Sequence, residues 1–435
     1  MRIGVRREDK NQWEARTPLV PDDIRQLIDR YGIDFVVQPS AIRAFRETEF
    51  SQAGAVVQES LADCDVILAV KEIPVDLLLP GKTYIFFSHT IKGQKYNLPM
   101  LKRILDIGDT LIDYERIVDA QNRRLVFFGR YAGIAGMIDT FWAFGQRLVL
   151  EGQSFFSDFQ PALKYQTFDH VREAYRPIAR RIREIGLPTH LTPVIFGFSG
   201  YGHVSKGAQE VFDLMPHIEI TADELPAFME HRNFDPHRLV KVVFSEKDMV
   251  APAANQPFEL QDYYQHPVRY RSAFERYLPN LNVLVNAIYW DERYPRLVTR
   301  KYLKECWENG SRLPLKVIGD ITCDVGGSIE CNTHCTTPGN PVYVYEPLTG
   351  NTIPGVAGDG PVILAVDNLP CELPIESSMV FSHVLRNFIP SIQQADFTRS
   401  FAELNLTDEL KRAMIVYHGK LTPDYQYLDT YLKQV

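Results

Sequence analysis

Cysteine is scarce in this chain. Six residues (Cys64, Cys306, Cys323, Cys331, Cys335 and Cys371) among 435 are too few for the disulfide framework that replaces a core in small secreted folds. Long apolar runs are missing as well: no stretch reaches the ~20 residues of a membrane-spanning helix. The opening MRIGVRRED has no apolar segment of the signal-peptide kind. Basic clusters are also absent, and 47 Lys and Arg against 55 Asp and Glu leave a net charge of −8. Neither nucleic acid nor a membrane surface is therefore an expected partner. The composition, 45% hydrophobic and 23% charged, is that of a globular protein. The length calls for two domains, and the expected setting is reducing, the cytoplasm.

The first 130 residues alternate short apolar runs with amphipathic stretches. Strands are expected at 3–5, 35–37, 66–70, 84–87, 111–113 and 125–128, with helices between them at 21–30 and 98–105. That rhythm predicts βαβ units and a mostly parallel sheet. A long helical pattern at 133–150 follows, with Gly133 and Gly136 as close-packing positions, then an amphipathic helix at 168–185. A second α/β series runs through TPVIFGFSGYG, HIEIT, LVKVVFS, LNVLVNAIYW, LKVIGDIT and PVILAVDN. The last sixty residues read as helix, including SSMVFSHVLRNFI and TDELKRAMIVYH. With no internal repeat and no low-complexity linker, the long helix is the crossing between two domains. Residues 1–135 with 370–435 form a discontinuous catalytic domain, and 136–369 a dinucleotide-binding one.

Two apolar runs each end in a titratable side chain: DVILAVK in Lys71 and KTYIFFSH in His89. Runs that apolar suit strands buried on both faces of a parallel sheet, and ligands bind at the carboxyl ends of such strands. A lysine in a partly dry site loses its charge readily, and histidine titrates near neutrality, so the pair suits proton transfer. Either residue alone reads as a surface lysine or a core histidine; together they point to chemistry.

The cofactor signal is PVIFGFSGYGHVSKGAQEVF, a strand running into Gly200, Tyr201 and Gly202 before a helix opens at His203–Val204. Glycines there let the backbone turn tightly and approach a pyrophosphate. Ser205 stands where the third glycine of G-x-G-x-x-G belongs, so the match is imperfect. About twenty residues on, the next strand ends in Thr221, neither an acid for a ribose hydroxyl nor an arginine for a ribose phosphate. The phosphate state of the cofactor stays undecided at this point.

Arg16, Arg123 and Arg124 suit substrate carboxylates, while Glu72 and Glu115 suit an ammonium group. Late in the chain, GDITCDVGGSIECNTHCTT places Asp320 and Asp324 at a strand end. Cys331, His334 and Cys335 lie close in sequence but lack a fourth ligand or a second CxxC, so no metal is expected.

RREDKNQWEARTPL, FFSHTIK, LIDYE, FSGYGHVSKGAQ, NAIYWDERYPRL, DITCDVGGSIE and VDNLPCELPIE together resemble the lysine–2-oxoglutarate reductase domain of animal and plant aminoadipic semialdehyde synthase. Wider relatives are yeast-type saccharopine dehydrogenase, alanine dehydrogenase and the transhydrogenase nucleotide-binding components. The resemblance implies two Rossmann-like α/β domains with parallel sheets and an active site in the cleft between them. It implies Lys71 and His89 as catalytic residues, and Arg16 and, in the arginine pair, Arg123 on substrate carboxylates, with Arg124 beside it in the substrate site. Glu72 and Glu115 would lie by the lysine substrate, with Asp324 at the substrate. Gly200, Tyr201, Gly202, His203, Val204, Thr221, Asn286, Ile288 and Asn368 would lie at the cofactor. NADPH is the implied cofactor, with NADH the alternative.

The implied reaction is reductive condensation of the lysine ε-amine with 2-oxoglutarate to saccharopine, in lysine degradation. The bifunctional relatives continue into a saccharopine dehydrogenase domain. This chain stops at Val435, so a separate saccharopine dehydrogenase is expected to consume the product. Two rival readings remain at this point. One is another amino-acid or opine dehydrogenase of the alanine dehydrogenase type, for which one carboxylate clamp suffices. The other is a nucleotide-binding module without chemistry of its own.

Overall fold

The apolar runs of the first third form strands, and the charged stretches between them form the crossover helices. The computed structural model describes residues 1–254 and 256–433. The chain divides into two units, Met1–Phe128 with Pro374–Val435, and Gly129–Leu373.

In the first unit, eight strands lie in the order Lys420–Leu421, Met414–Tyr417, Thr110–Asp113, Thr83–Phe86, Val66–Leu68, Arg2–Val5, Asp34–Val37 and Val56–Val57. From Thr110–Asp113 onward every pairing is parallel, with Ile3 beside both Phe35 and Val66, and Thr83 between Val66 and Thr110. Strand order reverses on either side of Arg2–Val5, the switch point at which open α/β sheets bind ligands. The helix Pro21–Tyr31 shows why the crossovers form: Pro at its first position, Asp22 and Asp23 in its first turn, and Gly32 at φ 62° closing it.

Two expectations fail in this unit. Residues 125–128 do not form a strand, because the sheet position beside Thr110–Asp113 is taken by Met414–Tyr417, running antiparallel. Leu125 instead donates its N–H to Ile117 O in a local turn. The same pairing splits the helix expected over TDELKRAMIVYH into a short helix, Asp408–Ala413, and the strand Met414–Tyr417.

In the second unit, eight strands lie in the order Thr352–Pro354, Val342–Tyr345, Val362–Leu364, Val317–Asp320, Val283–Asn286, Ile195–Ser199, Leu239–Phe244 and His217–Ile220. The six strands of the expected α/β series run parallel, and Val342–Tyr345 with Thr352–Pro354 extends the edge antiparallel. The glycine-loop strand Ile195–Ser199 is flanked by Val283–Asn286 and by Leu239–Phe244. The next strand in sequence, His217–Ile220, lies one place farther out.

The long helix spans Gly129–Leu150 and packs on the helix His203–Phe212. A Cβ at Gly133 would sit 1.9 Å from Val204 O, and one at Gly207 2.1 Å from Arg130 O. The two helices therefore meet backbone to backbone, which is why glycine stands at these positions. Gly136 likewise faces Ile321, whose Cγ1 would be 2.6 Å from an added Cβ.

Candidate active site

In the first unit, three adjacent strand ends deliver the candidate residues. Past Val66–Leu68 the chain reaches Val70 and Lys71, whose N–H groups donate to the two carboxylate oxygens of Glu8 at 2.6 and 2.9 Å. Glu8 is buried just beyond the neighbouring strand Arg2–Val5 and ties the two strand ends together. Burial, with the nearby Glu14 charge, pushes its carboxyl up to about 7. Burial and the Arg16 charge lower the Lys71 ammonium, which brings its neutral, proton-accepting form closer to physiological pH.

Past Thr83–Phe86 the chain reaches His89, held at φ 48°, a region L-residues rarely occupy. Its Nδ1–H donates to Glu72 Oε1 at 2.6 Å. Asn97 Nδ2 donates to Ser88 O at 3.0 Å and reaches Glu72 Oε1 at 3.4 Å, while Lys10 Nζ lies 3.4 Å from Glu72 Oε2. Burial opposes ionisation of Glu72, but the His89 bond and charge, with Lys10 and Lys71, hold its carboxyl well below the usual range. A carboxylate accepts only, so Nδ1 is the donor of this bond and Nε2 is the ring nitrogen it leaves over. Asp113, at the third strand end, accepts from Ser88 N at 3.1 Å and from the Ser88 hydroxyl, and burial pushes it up to about 6.

Arg16 is fully buried. Its Nε and Nη2 grip Glu14 at 2.7 and 2.5 Å, and its guanidinium lies 4.2 Å from the Phe128 ring centre. The loop carrying it is pinned by the helix Pro374–Leu385, where Ser378 and Ser382 accept from Thr17 N and Val20 N at 3.0 and 2.9 Å. The neighbouring arginines diverge. Arg124 pairs with Glu115, whose own N–H donates to Asp113 Oδ1 at 2.7 Å. Arg123 pairs with Asp119 at 2.7 Å in an exposed turn, its side chain 75% accessible. Lys71, Glu72 and His89 thus form one cluster. Glu115 and Arg124 form a pair of their own, bonded to the third strand end, and Arg123 points into solvent.

In the second unit, Gly200 lies at φ 86°, and an added Cβ would meet Ile288 Cγ2 at 3.0 Å and Ala287 O at 3.3 Å. Its N–H donates to Phe244 O at 2.9 Å. Gly202 precedes the helix His203–Phe212 with no side-chain cap and open space where a Cβ would be. The first turn of that helix, from His203 and Val204, therefore offers N–H groups to an anion. These residues fit the pyrophosphate of a dinucleotide.

Asn286 is buried beside this loop as a crossbar. Its Oδ1 accepts from Ser199 Oγ at 2.7 Å, and its Nδ2 reaches Asp320 Oδ1, Thr322 Oγ1 and Ser328 Oγ at 2.8, 2.9 and 2.8 Å. It braces the ends of the strands Ile195–Ser199 and Val317–Asp320 on either side of its own. Asn368 is buried in the turn after Val362–Leu364, and Asp324 stands in the turn after Val317–Asp320. Thr221 ends the outer strand, one place beyond the neighbour of the glycine strand, and bonds Glu224. The residue beside the loop is Glu246, which accepts from the Tyr201 and Tyr264 hydroxyls at 3.1 and 2.6 Å.

Glu8, Asn97 and Glu246 escaped the sequence reading. Glu8 had a signal, an acid three residues past the first strand, but it took the parallel pairing to aim it at Lys71. Of the late cysteines, Cys331 is buried and His334 stacks on Tyr343, their ring centres 4.3 Å apart. Among the described residues no group of three or more His, Cys, Asp or Glu side chains is placed to hold a metal ion. No helix there is long and apolar enough to cross a membrane.

The fold and loop define a protein of two Rossmann-like α/β domains. The chain belongs to the alanine dehydrogenase/PNT family: residues 4–135 match its N-terminal domain and 237–424 its C-terminal domain. The fold is that of an L-alanine dehydrogenase, with a TM-score of 0.64 at 18% identity over 99% of this chain and 100% of that one. A transhydrogenase from Sinorhizobium meliloti has a TM-score of 0.54 at 15% identity, over 98% and 100%.

Among named relatives, alpha-aminoadipic semialdehyde synthase of Arabidopsis thaliana is 37% identical over 98% of this chain and 41% of its own length. The mitochondrial form from Bos taurus is 34% identical over 98% of this chain and 47% of its own. The chain thus spans less than half the length of these relatives. Saccharopine dehydrogenase [NAD(+), L-lysine-forming] of Emericella nidulans is 26% identical over 90% of this chain and 92% of its own length.

Proposed function

We propose that this chain condenses the ε-amine of lysine with the ketone of 2-oxoglutarate and reduces the product to saccharopine. The observation that carries this reading is the cluster of Lys71, Glu72 and His89: a lysine with a lowered pKa next to a glutamate that holds the histidine through Nδ1. The name of the lysine-forming saccharopine dehydrogenases supplies lysine and saccharopine, and the resemblance of the sequence to the reductases supplies 2-oxoglutarate.

Condensation needs a proton taken from the incoming amine and protons returned as water leaves. Neutral Lys71 is suited to accept the first and, once charged, to return it. His89, oriented by Glu72 through Nδ1, presents Nε2 to the reacting nitrogen. Glu72 holds the imidazole in one tautomer and stabilises it when charged. Arg16 and Arg124 are the cations we assign to substrate carboxylates, with Glu115 toward the ammonium end of lysine. A nicotinamide dinucleotide bound at Gly200 and Gly202 would supply the hydride.

We infer that the dinucleotide is NADH. Resemblance to the reductases favours NADPH, but the strand beside the glycine strand leads into Glu246 at the loop. A carboxylate there accepts from a ribose 2′-hydroxyl and repels a 2′-phosphate. The fungal relatives named for NAD(+) support the same choice. We place the reaction in a reducing compartment, the cytoplasm, in keeping with six free thiols.

The test is cofactor oxidation with lysine and 2-oxoglutarate, omitting each in turn, beside ammonia with pyruvate. Dependence on both lysine and 2-oxoglutarate supports the proposal. Activity with ammonia and pyruvate alone returns the chain to the alanine dehydrogenase reading, and tight cofactor binding without oxidation to that of a module lacking chemistry.

A further inference from the structure

Two thiols that the proposed reaction does not use meet beside the second unit's strand ends. Cys323 follows Thr322 in the turn after Val317–Asp320, and Cys335 precedes Thr336, which bridges to Val366 at the end of Val362–Leu364. Their sulfurs lie 3.7 Å apart. Cys335 is exposed and Cys323 partly buried. Cys323 is held at φ 56°, a conformation L-residues adopt only where the surroundings impose it. A disulfide has its sulfurs about 2.05 Å apart, so closure asks for a side-chain rotation or a small loop shift rather than a refolded turn.

We propose that Cys335 and Cys323 form a peroxide-sensitive thiol pair, Cys335 attacking and Cys323 resolving, whose disulfide loosens the dinucleotide site. The polarity of the pair follows from its contacts. Cys335 is the thiol solvent reaches, and the single Cys323 S–H has two acceptors in reach, the Cys335 sulfur at 3.7 Å and Ala365 O at 2.9 Å. Donation to the Cys335 sulfur lowers the Cys335 thiol below its ordinary value, while it and burial raise Cys323. The thiolate is the nucleophile, so oxidation starts at Cys335.

The Cys335 thiolate attacks one oxygen of a hydroperoxide. An S–O bond forms, the O–O bond breaks, and the other oxygen leaves as an alcohol or water after taking a proton. The sulfur is oxidised by two electrons to a sulfenic acid. Cys323 then attacks that sulfur: the S–S bond forms, the S–O bond breaks, and hydroxide leaves as water with the Cys323 proton. Two thiols and one hydroperoxide become a disulfide, an alcohol or water, and one further water.

The consequence for the dinucleotide site rests on the proposed reading of that site. Thr322, next to Cys323, donates its hydroxyl to Asp320 and receives the Asn286 amide at 2.9 Å. Ala365 O takes the Thr336 N–H at 2.8 Å and is the other acceptor open to the Cys323 S–H. Oxidation removes that S–H from its reach. It also draws on the turn that helps fix Asn286 beside the glycine loop.

The test treats the full chain with hydrogen peroxide, maps thiols by peptide mass spectrometry, and titrates NADH by protein fluorescence. The expected result is a Cys323–Cys335 linked peptide and a rise in the NADH dissociation constant of about fivefold or more, both reversed by dithiothreitol; such a factor is an ordinary coupling strength between sites. Cys323→Ser should stop at a sulfenic acid on Cys335 that a dimedone probe captures, and Cys335→Ser should show neither change while binding NADH normally. Absence of the linked peptide overturns the proposal, as does a linked peptide with unchanged affinity. Neither readout depends on lysine or 2-oxoglutarate, so failure of the assigned reaction would leave this test intact.

Discussion

His89 Nδ1 and Glu72 Oε1 lie 2.6 Å apart, joining the ends of two adjacent parallel strands through one charge-assisted hydrogen bond. The bond fixes which imidazole nitrogen is turned to Glu72. Glu72→Gln keeps the shape and removes the charge, a loss of about 1.5–3 kcal/mol for a bond to a charged group. The expected outcome is a kcat lowered by about tenfold to a hundredfold with cofactor affinity unchanged, read by steady-state kinetics and fluorescence titration. A kcat within about twofold of the parent would make the pair a purely structural contact.

Glu8 carries a pH signature. Its carboxyl titrates at about 7 in the folded chain against about 4.3 for an ordinary glutamate. Between those values the folded state holds a proton that the unfolded state has released. Glu8 thus contributes a stability that is present at low pH and lost as pH rises through that window. Glu8→Gln removes this slope and leaves one of the Val70 and Lys71 N–H groups without an acceptor, at about 1–3 kcal/mol. Denaturant midpoints across the window should be lower and flatter than the parent's. An unchanged slope would show that Glu8 stays ionised throughout.

The paired arginines give opposite expectations. Arg124 is held by Glu115, whereas Arg123 reaches only Asp119 in an exposed turn. Arg124→Ala should raise the KM for the keto acid by about tenfold, the ~1.4 kcal/mol of a weakened ionic contact, and Arg123→Ala should leave it nearly unchanged. Reversed effects in the same kinetic comparison would exchange the roles of the two residues.

Much of the candidate cluster was legible because its carriers are apolar runs. Lys71 and His89 end segments too apolar for anything but buried strands, and a parallel sheet brings such ends to one side. Gly133 was legible as a packing notch because a glycine inside a helix needs a neighbour's backbone. Other features depend on contacts between distant segments. Residues 125–128 carry a strand-like composition, but the sheet position they would fill belongs to Met414–Tyr417, nearly three hundred residues away. Nothing local separates Arg123 from Arg124; the turn that turns one outward does. Thr221 drew the cofactor reading because it ends the next strand in sequence. The strand beside the glycine strand is the following one, which leads into Glu246.

That placement makes cofactor choice testable. NADH should bind at least about tenfold tighter than NADPH, a discrimination of ~1.4 kcal/mol. Glu246→Ser should narrow the gap chiefly by improving NADPH binding. The neighbouring Lys247 supplies the contrary case: were it the residue that grips a 2′-phosphate, Lys247→Ala would cost NADPH affinity and Glu246→Ser would change little. Fluorescence titration of both nucleotides against both variants decides between them.

The most direct measurement follows the nitrogen. Lysine carrying heavy nitrogen at its ε position is incubated with 2-oxoglutarate, NADH and the protein, and the product is identified by mass spectrometry. The account predicts saccharopine that retains the heavy nitrogen in the newly formed secondary amine, and a yield reduced by orders of magnitude in Lys71→Met. A product lacking the label, or NADH oxidised without saccharopine, would contradict it.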